Sequence, residues 1–158
     1  MRLLALLLVS TATAIAADVS GVIKLDGPQP KRPPLPLTPE SRKLYEGKPY
    51  PRDEVELVNE KREIQNVFVY IRKGLPAGKT YPAPKKPALL DQQRSMFRPR
   101  IQGLFVGQDF AMRNSDPIIH NVRSLSQENR PFNIAQPAGT PDRLKRFNDK
   151  EGPIELRC

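Results

Sequence analysis

A chain of 158 residues is large enough to bury one core and too small for two, and its 18 prolines leave little room for long helices. The formal charge of +9 comes from basic residues scattered along the sequence, with no aromatic-basic platform or helix-turn-helix pattern, so a solvated basic surface is expected and no nucleic acid. One histidine and one cysteine, with no paired acid and base, exclude the usual triads, and no enzyme is expected.

The chain opens Met1-Arg-Leu-Leu-Ala-Leu-Leu-Leu-Val-Ser10 and runs through small residues to Ala14-Ile-Ala16. One positive charge, a short apolar run and an Ala-x-Ala site make a secretory signal peptide over residues 1–16, cleaved after Ala16 or Ala17. The run is too short to span a bilayer, and nothing later is long and uncharged enough to do so. A periplasmic or secreted protein is expected, with its domain over residues 17–158. In an oxidising compartment a structural disulfide needs two cysteines, so Cys158 is a free thiol, a metal ligand or an intermolecular partner.

Asp18-Val-Ser-Gly-Val-Ile-Lys-Leu-Asp26 alternates weakly before Gly27-Pro28 and reads as the first strand. Residues 28–51 hold eight prolines and read as an extended wrap, part of a proline-rich insert over about 28–54, with at most one helical turn near 40–45. Val55-Glu-Leu57 resumes a strand. Ile64-Gln-Asn-Val-Phe-Val-Tyr-Ile71 is the strongest β signal, apolar on both parities, which predicts a central strand covered on both faces. After a second proline-rich connection, residues 76–87, shorter strands are expected over 96–101, 103–106, 109–114 and 132–134. In the third of these Phe110 and Met112 share a face opposite Arg113. Residues 142–147 fit either a strand or a helical turn. Gly152-Pro-Ile-Glu-Leu-Arg-Cys158 alternates, with Ile154, Leu156 and Cys158 on one face. Many short strands without a long helix predict an all-β antiparallel sandwich with Greek-key connections.

The chemistry gathers at Asn114-Ser-Asp-Pro-Ile-Ile-His-Asn-Val122. The first four residues form a turn that caps its own backbone, and the lone imidazole, His120, emerges from it on the parity of Val122. With Cys158 it looks like two ligands of a soft-metal site. A spare terminal thiol and an ordinary hydrogen-bonded histidine are the plainer alternatives. Asn121 could fix the tautomer of a ligand histidine, but reads better as local backbone glue. Met96 and Met112 could serve as an axial thioether, though packing explains both.

Asn66-Val-Phe-Val-Tyr-Ile71, Leu90-Asp-Gln92, Phe97-Arg-Pro-Arg100, Gly107-Gln108, Asn114-Ser-Asp116, His120-Asn-Val122 and Phe132-Asn133 follow one another in an order and spacing that resemble a group of plastocyanin-like cupredoxins. Members are often labelled methylamine-utilisation proteins, and the resemblance covers about residues 18–158. It implies that His120 is the first copper ligand and Cys158 the thiolate. It also implies a second histidine and a methionine a few residues past the cysteine, then a last strand. This sequence carries none of these, so it is expected to be a fragment, incomplete at the C-terminus, that does not hold copper stably. The family often has Gly-Cys where this chain has Arg94-Ser95, and an upstream cysteine is missing too, so no disulfide is implied.

The expected function is one-electron transfer through a type 1 copper, with a periplasmic redox partner such as a cytochrome. The alternative is a metal-free periplasmic β-sandwich module that binds a partner or a surface polymer through its basic face.

Overall fold

Regular structure gathers in the second half of the chain. A computed structural model describes residues 20–55 and 57–158; the expected signal peptide and the start of the expected first strand lie outside them. The elements are a helix α1 (Pro39–Lys43) and strands β1 (Ala88–Gln93), β2 (Met96–Arg98), β3 (Phe110–Asn114), β4 (His120–Ser124), β5 (Asn133–Gln136), β6 (Arg143–Lys145) and β7 (Leu156–Arg157). They make two sheets, in the orders β2-β1-β3-β6 and β5-β4-β7. The described residues are all-β with almost no helix. Among the described residues no helix is long and apolar enough to cross a membrane.

In the first sheet β1 and β2 form a hairpin whose last pair is Gln93 with Met96. The two residues between, Arg94 and Ser95, both have positive φ, 51° and 56°. A two-residue loop that matches the strands' twist needs this backbone at both positions, although Asn and Gly adopt it more easily. The chain then travels through residues 99–109 and returns parallel to β1, from Ala88 beside Phe110 to Gln92 beside Asn114. This parallel pair departs from the all-antiparallel expectation. It arises because the hairpin partner β2 occupies one edge of β1, and the long connection brings β3 to the other.

The core lies between the sheets: Leu90, Phe110 and Met112 from the first, Val122 from the second, and Phe147, with Ile134, Ile154 and Leu156 packed against them. Phe110 and Met112 are fully buried, each worth about 1.5–3 kcal/mol in transfer from water. Arg113 points outward to Asp142 at 2.9 Å, as the strand parity requires. The Phe147 ring lies tilted at 5.8 Å from Phe110 in β3 and at 6.1 Å from Phe132, the residue just before β5, and so covers one end of the core.

Buried amides join the sheets at one end. Gln92 Nε2 donates to Gln136 Oε1 at 2.8 Å, and Gln136 Nε2 donates to the Met112 carbonyl at 2.8 Å. Asn114 Nδ2 donates to the carbonyls of Gln136 and Ile118, both at 2.8 Å. Gln92, Asn114 and Gln136 are all buried, where an unpaired amide would cost about 1–3 kcal/mol.

The expected central strand over residues 64–71 is overturned. Ile64 N–H reaches the Ile23 carbonyl and Gln65 N–H the Leu57 carbonyl, both at 2.9 Å, but Asn66 takes φ 60° and turns the chain out of line. Beyond it Val67, Phe68, Val69, Tyr70 and Ile71 are exposed, Val69 to 75 %. The central place belongs instead to β1, which the sequence did not mark as a strand. Of the expected strand over 18–26 the described residues keep only the isolated bridge of Lys24 with Glu63; the described residues of 55–57 lie in no strand, and it is the neighbouring Val58 that bridges Ile64. Residues 103–106 form no strand, because Gly107 N–H bonds the Phe147 carbonyl and Gln108 folds back on Phe105. Residues 143–145 resolve as the strand β6. The proline-rich insert carries α1, capped by Thr38 Oγ1, which accepts from Ser41 N–H at 3.2 Å.

Candidate metal centre

Asn114 sets the entry into β4. Its Oδ1 accepts the Asp116 N–H at 3.0 Å while its Nδ2 holds the Ile118 carbonyl, so one side chain closes the turn that delivers His120 to the start of the strand. His120 pairs with Gln136 on one side. On the other, β7 runs antiparallel, Arg123 opposite Arg157 and Ser124 opposite Leu156. Continued by one step, that register sets Cys158 across from Val122, on the face that His120 shares.

The two sequence-predicted ligands therefore come together. Cys158 Sγ lies 3.6 Å from His120 Nδ1. The imidazole is buried, with 6 % of its side chain exposed, whereas Cys158 is an exposed residue at the rim.

The other ring nitrogen, Nε2, lies 2.8 Å from Asp116 Oδ2. Asp116 also accepts the Arg94 N–H through Oδ1 at 2.6 Å and the Ser95 N–H through Oδ2 at 2.7 Å. The same hairpin loop is clamped from outside by Tyr45, whose hydroxyl donates to the Arg94 carbonyl at 2.5 Å, and by Ser41, which meets Ser95 Oγ at 2.8 Å. Burial, the largest influence on the Tyr45 phenol, pushes its pKa above the ordinary value and keeps the donor protonated.

Sequence reasoning missed Asp116 as the partner of the ring. The signal was an aspartate inside a turn four residues ahead of the lone histidine. Asn121 instead bonds the Asn133 side chain across to β5 and serves strand pairing. Met112 lies in the core with Leu90 and Val122, and Met96 is buried as well, so packing accounts for both. The described residues contain no group of three or more His, Cys, Asp and Glu placed to hold a metal. Comparisons with protein-family models, with curated proteins and with solved structures find no match to this chain.

Proposed function

We propose that this protein is an exported, cupredoxin-like Greek-key sandwich in which His120 and Cys158 are two ligands of a type 1 copper, passing single electrons to or from a periplasmic partner such as a cytochrome. The observation that carries the reading is the 3.6 Å between Nδ1 and Sγ. Metal–nitrogen and metal–sulfur bonds of about 2.0 and 2.3 Å meeting at about 110–120° separate the two donors by about 3.5–3.7 Å. An imidazole and a thiolate are also the donor types that suit both copper oxidation states, so an electron moves with little rearrangement. The pairing of β4 with β7 holds the two donors on one face. A second imidazole and a thioether are needed to complete such a site, and the resemblance places them just past the cysteine.

The test is copper titration of the full-length protein purified from its source, followed by visible absorption. An intense blue band that is lost in Cys158→Ser is expected; a colourless protein overturns the proposal.

One observation favours a second reading, a metal-free module that binds a partner. The run Val67–Ile71 exposes five large apolar residues in a row, and Phe68 and Tyr70 stack at 6.4 Å on its surface. Contiguous exposed apolar surface of this kind marks interaction sites. A copper-free protein that still associates with a partner through this run would favour the module.

A further inference from the structure

We propose that Asp116 is a positioning residue that sets the tautomer of His120, and that it does so as part of the β1–β2 hairpin. The aspartate and the histidine belong to the same turn-and-strand unit, but what immobilises the carboxylate is the hairpin loop on the other sheet. Arg94 and Ser95 stand in the left-handed region without being glycine or asparagine, a backbone that costs energy for side chains of their size. Their two N–H groups converge on one carboxylate, at 2.6 and 2.7 Å. That convergence offsets the strain and fixes the plane of Asp116, leaving Oδ2 with one more direction for a donor.

The donor in that direction is His120 Nε2, at 2.8 Å, with both side chains 6 % exposed. An ionised carboxylate only accepts, so the proton of the neutral ring must sit on Nε2. Nδ1 then carries the bare lone pair, and it faces Cys158 Sγ at 3.6 Å. A histidine that donates from one nitrogen to a carboxylate is held in ring orientation and is more basic at the other. Serving a metal with that lone pair rests on the copper reading above; the tautomer itself does not.

Asp116→Ala separates the two. It removes both oxygens, so the place facing Nε2 no longer holds an acceptor and the ring proton is free to distribute between Nε2 and Nδ1. The experiment is 15N NMR of the His120 ring in the reduced, metal-free protein at pH 8, with the two nitrogens assigned through their couplings to the ring protons. The expected result is the Nε2–H tautomer alone in the unsubstituted protein and a mixture with populated Nδ1–H in D116A. An Nδ1–H ring or an even mixture in the unsubstituted protein overturns the proposal, whether or not the variant folds. A folded D116A that keeps Nε2–H alone overturns the positioning role. A protein that shows the Nε2–H tautomer and takes up no copper refutes the copper site and leaves this assignment standing.

Discussion

Residues 20–87 and residues 88–158 are held by different means. Among the described residues, the first region has three isolated bridges and a five-residue helix. The second has five strand ladders and all five residues of the buried hydrophobic cluster. Both regions contain β-forming sequence. What separates them is whether a strand has a neighbour on each edge and a packed face. β1 has β2 and β3 beside it, and β3 has β1 and β6; the run after Asn66 has no backbone partner among the described residues. Ladder bonds and burial arrive together, because an extended backbone leaves water only when its amides are paired.

The sharpest way to test this division is to cut the same kind of group from each side of it. Phe110→Ala removes a fully buried ring from the centre of β3 and should cost about 3–5 kcal/mol in urea or guanidinium unfolding. Val69→Ala, in the exposed run, should stay within about 0.5 kcal/mol. Comparable losses from the two would mean that the run is covered in solution and that the two regions share one core.

A smaller effect is expected from the amides that join the sheets. Gln136→Leu keeps the volume approximately but takes from Gln92 Nε2 its closer acceptor, leaving it the Arg113 carbonyl at 3.3 Å, and takes from the Met112 carbonyl its side-chain donor. The expected loss is about 1–3 kcal/mol, read from the denaturation midpoint. Unchanged stability would show that the sheets are held by their apolar contacts alone.

These polar positions explain why part of the architecture could be read from the sequence and part could not. The alternation Phe110, Met112 against Arg113 is legible because apolar and charged residues cannot exchange faces without large cost. The turn before His120 and the parity of Ile154 and Leu156 are legible for the same reason. β1 is not, since Asp91 and Gln92 look like solvent-facing residues until Ser115 and Gln136 are brought beside them from elsewhere in the chain. The run 64–71 misleads in the opposite sense. Its apolar residues on both parities say that both faces could be covered, and the left-handed turn at Asn66 decides that they are not. At the candidate site the lone histidine and cysteine stand out by type, and β4–β7 pairing brings them together. Asp116 does not stand out, because its role depends on a hairpin loop more than twenty residues earlier in the chain.

The smallest effect concerns the segment that leads to Cys158. Glu151 accepts from the Ser126 hydroxyl, from Gln127 N–H at 2.7 Å and from Asn129 Nδ2 at 3.0 Å, tying the loop after β4 to the approach of β7. These donors, the Ser126 hydroxyl foremost, hold its carboxyl at about 2 in the folded protein, against an ordinary value of 4.5. A carboxyl with a depressed folded value adds stability above its unfolded value and loses it as the pH falls toward the folded one. The contribution should therefore be complete at neutral pH and fade between about pH 4.5 and 2. Glu151→Gln keeps an acceptor but removes the charge, so its deficit against the unsubstituted protein should be present at pH 7 and shrink across that window. Urea midpoints measured at several pH values check this; a deficit that stays constant down to pH 2 would mean that the carboxylate charge plays no part in holding the loop. Because Leu125 N–H also bonds the Glu155 carbonyl at 2.9 Å, the loop and β7 share two attachments, and losing one should loosen the approach to Cys158 without melting the core.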